Sequence, residues 1–320
     1  MDTNMNGGAF NPEYYANEPR PAAGHASSDY QHGALIFVHA PRTAGSTLSR
    51  IMDWEYAPLE ICDVDGRFYY WSVQKISGWP KERLGKMRLF KGHMPFGLHR
   101  HVPQPARYIT LLRDPVDRTA SEYYGRRYRH THPIADRDAK LQSFEEYVKT
   151  VPYGNPQTKA IAGVQCVYEY HWYTVIPSYR VYCGPCTVET LEIAKKNLSL
   201  YFDLVGLTER FEETLALAKL MFGWKVPYYT AAREGVRRPK RDEISSRQRD
   251  VVAKYHEFDM ELYRYGVSLF EQAVANYGDR LGVACNEIRK ASKPSAARSR
   301  YYNIRSFARR HFIRTHCALQ

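Results

Sequence analysis

Apolar residues come in short runs closed by turn residues, and longer stretches with helical spacing separate them. The runs are Leu35 to Val38, Ile61 to Val64, Met87 to Lys91, Arg107 to Leu112 and Tyr201 to Val205. Each has the length and the β-branched or aromatic character of a strand. Between them, Leu48 to Trp54, Val116 to Arg129, Leu141 to Val148 and Thr187 to Asn197 read as helices. A further helix opens at Thr208-Glu209-Arg210-Phe211 and runs to about Phe222, its Thr and Glu favouring a cap. Ile244 to Tyr277 is broadly helical, with Phe258, Leu262, Tyr265 and Leu269 at helical spacing. Strands alternating with helices predict an α/β fold.

Polar chemistry gathers where the strands end. After Leu35 to Val38, His39-Ala40-Pro41 closes the strand, and Arg42, Thr43, Gly45, Ser46 and Thr47 crowd the turn before a helix. Strand, tight turn and helix start make an anion site: the first N–H groups are unpaired and the helix dipole favours negative charge. The spacing is not the GxxxxGK[ST] of an ordinary nucleotide loop. The strand near Met87 runs into Gly92-His93, and a histidine past a strand end faces the crevice of an open α/β sheet. Its pKa suits a general base. The RYITLL strand ends in Arg113-Asp114-Pro115, where Asp114 is a plausible N-cap, Pro115 suits the first helical position, and Arg113 stands beside a helix N-terminus. Ser121 falls in the second turn of that helix.

Composition narrows the partners. The chain has 320 residues, 46 Lys and Arg against 34 Asp and Glu, and a net charge of +12, which favours anionic partners. Part of that excess lies from Arg289 onward, where no acid occurs, so residues 289–320 read as a basic tail, helical or disordered, dispensable for chemistry. Residues 1–33 read as a flexible lead-in and 34–288 as the main domain. Within it, 164–185 form an aromatic and cysteine-rich insertion. Tyr168 and Trp172 there are candidate acceptor contacts, with His99 and Arg126, and the Phe68 to Trp71 cluster packs under a loop or walls a pocket. Cys183 and Cys186 have CxxC spacing, with Cys166 upstream, but a single CxxC does not make a metal site, and none is expected. No apolar run approaches the roughly 18 residues of a membrane span, and the N-terminus lacks a signal pattern. A cytoplasmic chain is the expectation.

Four landmarks in order carry a family resemblance: PRTAGSTL at 41–48, GHMPFGLH from Gly92, LLRDPVDRTASEYY around Arg113, and Asn155-Pro156-Gln157-Thr158-Lys159. Together with FDLVGLTERFEETL they resemble the sulfotransferases that use 3′-phosphoadenosine 5′-phosphosulfate (PAPS). More narrowly, they look like the branch that includes the heparan sulfate 2-O-sulfotransferases and their bacterial relatives. The resemblance implies a P-loop-like parallel β-sheet flanked by helices, of the sulfotransferase type. It implies that Arg42, Thr43, Ala44, Gly45, Ser46 and Thr47 hold the 5′-phosphosulfate, that Arg42 is also catalytic, stabilising charge on the departing phosphate together with the loop N–H groups, and that Arg113 and Ser121 hold the 3′-phosphate. Arg237 or Arg238 closes over the nucleotide, and His93 is the base, with His99 as its understudy. Donor PAPS, product PAP, no metal, and a glycan, tyrosyl peptide or small natural product as acceptor complete the expectation. The eukaryotic relatives are membrane-anchored, so a bacterial enzyme is implied. This sequence departs from the pattern at Arg42, where a lysine is usual, and at Lys159, where an arginine is. The competing readings are a kinase-like phosphotransferase, a non-catalytic relative and a basic nucleic-acid-binding protein.

Overall fold

The computed structural model describes residues 33–64, 76–127, 142–150, 154–163, 186–226, 229–230, 239, 241–292 and 296–319. The elements in chain order are β1 (Ala34–Val38), α1 (Gly45–Glu55), β2 (Ile61–Val64), α2 (Lys81–Leu84), β3 (Leu89–Gly92) and β4 (Ala106–Leu112). They continue with α3 (Pro115–Arg127), α4 (Phe144–Thr150), α5 (Pro156–Ala162), α6 (Val188–Tyr201) and β5 (Phe202–Leu207). The chain then runs through α7 (Phe211–Phe222), α8 (Ser246–Tyr255), α9 (Glu257–Tyr277), α10 (Asp279–Ala291) and α11 (Ala296–Leu319).

All five strands pair in parallel, in the order β2-β3-β1-β4-β5. The α/β fold expected from the sequence, a parallel sheet flanked by helices, is therefore present. Continuous apolar character explains why β1 takes the middle: Ala34 to Val38 are all at most 2% exposed, so both faces are covered. The chain leaves β1 towards β2 on one side and later reaches β4 on the other, so the strand order reverses at β1. Crevices in open α/β sheets form beyond the carboxyl ends of the strands at such a point. Residues 39–45, 93 and 113 all follow strand ends there.

Several expected elements differ in detail. The β3 strand starts two residues later than the apolar run suggests, and α1 starts at Gly45 rather than Leu48. Thr208 does not cap α7; its N–H and hydroxyl both donate to the Leu112 carbonyl, at 2.9 and 3.1 Å, tying β5 to the end of β4. The stretch 244–277 is two helices broken at His256, whose buried Nδ1 accepts from the Asn155 N–H at 3.2 Å. The basic C-terminal segment, expected as helical or disordered, is helix α11, packed on α1 and β2 with Tyr302, Ser306 and Ile313 buried. Among the described residues no helix is long and apolar enough to cross a membrane. The lead-in up to residue 32, the aromatic cluster at 68–71 and the 164–185 insertion lie outside the described residues.

Candidate functional site

The turn after β1 is held in an uncommon backbone shape. Arg42 and Ala44 both have left-handed φ, 69° and 60°, and Ala44 is the N-cap of α1 with no side-chain cap bond. Each such non-glycine residue costs on the order of 1–2 kcal/mol, so the surrounding structure must enforce it. Thr43 contributes: it is fully buried, and its hydroxyl donates to the Ala40 carbonyl at 2.8 Å. Its hydroxyl, expected to serve a ligand, is thus a brace inside the loop. The first intrahelical bond of α1 is donated by Thr47 to Ala44 at 2.9 Å, which places the N–H groups of Gly45 and Ser46 ahead of the ladder at the positive end. That end is a cradle an anion fits.

One histidine stands against this cradle and a second stacks on it. The His93 Nδ1 lies 2.8 Å from the His39 carbonyl. A carbonyl only accepts, so Nδ1 carries the proton and the basic lone pair is on Nε2. The two imidazoles stack, 4.0 Å between centroids and 26° between planes, and Phe37 continues the stack behind His39 at 5.4 Å. His39 is buried and reaches so close to Gly45 that any Cβ there would overlap its ring. The glycine of the loop is therefore required by packing against His39. Sequence reading took His39 only as a strand terminator; a polar side chain at the end of an apolar central strand was the signal available.

His99 has a different role. Its Nδ1 is 2.6 Å from the Tyr108 hydroxyl, inside an aromatic box with Phe96, Tyr201 and Phe202. Tyr108 is fully buried, and its oxygen also accepts the N–H groups of Gly97 and His99. These bonds make His99 a packing residue of the segment after β3.

The second strand end is built with equal care. Asp114 caps α3 as expected, its Oδ1 accepting the N–H groups of Val116 and Asp117 at 3.0 and 3.1 Å. Gln157 brackets Arg113: its Oε1 accepts the Arg113 N–H and its Nε2 donates to the Arg113 carbonyl, both at 2.9 Å. The NPQTK stretch, expected to line the cleft, is thus a buried clamp on the strand end. Asp259 of α9 accepts the Thr158 N–H and hydroxyl at 2.8 Å and fixes that clamp. Lys159 is also buried there. The Arg113 guanidinium donates to the Arg42 carbonyl at 3.0 Å, so both anion sites share a wall. Ser121 sits on α3 beside them, its carbonyl accepting from the Arg42 guanidinium.

Behind this wall Glu122 takes two guanidiniums, Arg118 at 2.8 Å and Arg126 at 2.7 Å. Burial opposes ionisation of Glu122, but the Arg126 and Arg118 charges outweigh it and hold the carboxyl well below its usual range. Arg126, expected near an acceptor, is committed to this carboxylate. Of the remaining candidate residues, Arg237, Arg238, Tyr168 and Trp172 lie outside the described residues, as do Cys166 and Cys183. Cys186 is a free thiol, pushed up to about 12 mainly by burial.

Comparison with known proteins agrees with this geometry. Residues 34–169 match the family model described as "Sulfotransferase domain". The chain is 25% identical over 215 residues to heparan sulfate 2-O-sulfotransferase 1 of Gallus gallus, covering 60% of this chain and 57% of that protein. Against the Homo sapiens protein of the same name it is 24% identical over 213 residues, 62% of this chain and 56% of the relative. Against heparan sulfate 2-O-sulfotransferase hst-2 of Caenorhabditis elegans it is 28% identical over 156 residues, 47% and 44% respectively. The matches thus span between 44% and 57% of these relatives' own lengths. With the loop, the strand ends and the parallel sheet in place, residues 34–169 of the chain are similar to the sulfotransferase domain, and the relatives named above are heparan sulfate 2-O-sulfotransferases.

Proposed function

We propose that this protein transfers the sulfuryl group of PAPS to a hydroxyl or amine acceptor, with His93 as general base. The observation that carries the reading is the His93–His39 bond: it puts the Nδ1 proton on the His39 carbonyl and the basic Nε2 on a ring stacked on His39, which itself lies against Gly45 at the start of α1. PAPS, when bound, supplies an activated sulfuryl group on a phosphate leaving group. The N–H groups of Gly45 and Ser46, with the hydroxyls of Ser46 and Thr47, fit the 5′ end, and Arg113 and Ser121 fit the 3′-phosphate. His93 removes the acceptor proton through Nε2 as the acceptor attacks, and Nδ1 keeps its proton on the His39 carbonyl. The stacked His39 ring holds the plane of His93 while its charge changes. The fixed N–H groups stabilise charge that grows on the phosphate side, without reorganisation. Arg237 or Arg238 would complete the nucleotide contacts, with Tyr168 and Trp172 towards the acceptor.

The relatives' names point to a glycan hydroxyl as the first acceptor class to try, with tyrosyl peptides and small alcohols or amines after it. Transfer of labelled sulfate from PAPS to such a panel tests the reading. Incorporation into one class, abolished in His93→Ala, supports it. A folded protein that binds PAP but transfers to nothing on the panel would favour a non-catalytic relative.

A further inference from the structure

Helix α11 shows the protein one face and the solvent another. Tyr302, Ser306 and Ile313 are buried, and Arg309, Arg310 and Arg314 direct their charge at Asp53 of α1 and Asp63 of β2. At about 3.6 residues per turn, Tyr301, Ile304, Ala308 and Phe312 share the opposite face, with Phe307 beside them. Tyr301, Ile304 and Phe307 are 58%, 61% and 77% exposed, and Phe312 is exposed too. Phe307 is the most exposed large apolar side chain among the described residues. Single apolar side chains on a surface are ordinary, but four on one face of one helix form a patch. Exposed Leu59 belongs to the short turn Pro58–Glu60, on which α11 also packs. Exposed Arg300 and Arg305 flank this face, the Arg305 guanidinium 5.1 Å from the centre of the Tyr301 ring.

We propose that α11 docks this protein on the surface of an anionic phospholipid membrane. Ile304, Phe307 and Phe312 enter the interface, and Arg300 and Arg305 meet the headgroup phosphates. Charge selects this occupant. The helix carries six arginines and no acid, so a second copy of the same face would be repelled. A soluble polyanion would use the arginines and leave the apolar side chains in water. An anionic bilayer takes both, because basic side chains bind its surface while apolar ones reach the acyl boundary. The helix lies on the membrane and does not span it, since none of the described helices is long and apolar enough to cross. Its contacts with Asp53 and Trp54 are at the far end of α1 from Gly45, so the docking face is remote from the anion cradle. The proposal stands independently of the PAPS reading.

The test is co-sedimentation of the full chain with two kinds of vesicle, phosphatidylcholine alone and an equimolar mixture of phosphatidylcholine and phosphatidylglycerol. Wild type should bind the mixed vesicles and stay in solution with the neutral ones. The double variant Ile304→Ser, Phe307→Ser keeps every charge and should weaken binding by about tenfold or more, the scale of two partly inserted apolar side chains. Arg300→Gln with Arg305→Gln should weaken it by about fivefold per arginine. All four positions are exposed, so melting without vesicles should match wild type; if the apolar pair does not fold, the arginine pair decides. Equal binding to both vesicles, no binding to the mixed ones, or binding untouched by the apolar pair overturns the proposal. So does a dimer of the protein alone that Phe307→Ser dissolves, which would give the face to a second copy.

Discussion

At its N-terminal end α1 starts from a left-handed alanine with no side-chain cap, whereas its C-terminal end is gripped from three directions. Lys91 of β3 pairs with Asp53 at 2.7 Å and donates to Ser49 at 2.8 Å, with Lys91 and Asp53 both essentially inaccessible. Glu55 accepts the N–H groups of Lys225 and Val226, both at 2.8 Å. From α11, Arg309 donates to the carbonyls of Asp53 and Tyr56, and Ser306 takes the Trp54 indole N–H at 3.0 Å. The last carbonyls of a helix are its negative end, so an arginine there is well placed. One end is closed by the protein itself; the other presents bare N–H groups and the His39–His93 stack. A helix fixed at its far end can hold its near end open for an anion without fraying. It also follows that Lys91, two residues before His93, couples the anchor to the proposed base through a single strand.

The contrast can be broken from either end. The largest expected effect is at the open end: His93→Ala should lower turnover by roughly 10²–10⁴-fold, the usual loss for acid–base catalysis. PAP affinity should hold, because the proposed role sets the imidazole against the acceptor; an equal fall in affinity would move His93 into the nucleotide site. At the closed end, Lys91→Met leaves Asp53 as a buried charge without its closest partner and should cost about 3–5 kcal/mol in chemical denaturation. A change within about 1 kcal/mol would mean that Arg310, 3.6 Å from Asp53, suffices to compensate it.

The back wall adds a pH dependence. Burial first, and then the Arg118 charge, bring His256 from 6.5 down to about 3. Below pH 6.5 the unfolded chain binds a proton that the folded chain refuses, so stability is complete above that pH. It is lost as pH falls towards 3, at about 1.4 kcal/mol per pH unit from this residue. Melting temperatures measured across that window should fall with acidity, and less steeply in a folded His256→Asn variant. A flat profile in wild type contradicts the buried neutral imidazole.

Smaller effects sharpen the same contrast. Arg309→Ala uncovers two helix-end carbonyls and should cost about 1–2 kcal/mol, read as a lowered denaturant midpoint. Deleting α11 outright should cost more, since Trp54 loses Ser306 and the Tyr302 ring 5.9 Å away. At the open end Ala44→Gly relieves a left-handed alanine and should raise stability by under about 1 kcal/mol, with PAP affinity retained. A loss instead would show that the alanine methyl packs the loop.

The strands and the turns at their ends were legible because each rests on local signals: an apolar run, a capping Asp114, a proline at the first helical position. What stayed hidden depends on residues far apart in the chain. Gln157 clamps Arg113 across 44 residues, and Arg309 reaches Asp53 across 256. Neither separation leaves a periodic trace, and a basic tail without acids reads as solvated charge. The helix break at His256 was missed for the same reason: its cause is Asn155, on another element. His39 was in plain view beside the strand, but its role comes from Gly45 and His93, which only the folded turn brings to it.

The most direct test of the whole account is a calorimetric titration of the full chain with PAP and, separately, with ATP, followed by melting of each mixture. The open end of α1 and the Arg113 wall predict that PAP binds and that ATP binds far more weakly. At a hundredfold excess over its dissociation constant PAP should add about 2.7 kcal/mol of stability. Tight ATP binding with no binding of PAP would contradict the account and point to a phosphoryl-transfer enzyme on the same sheet.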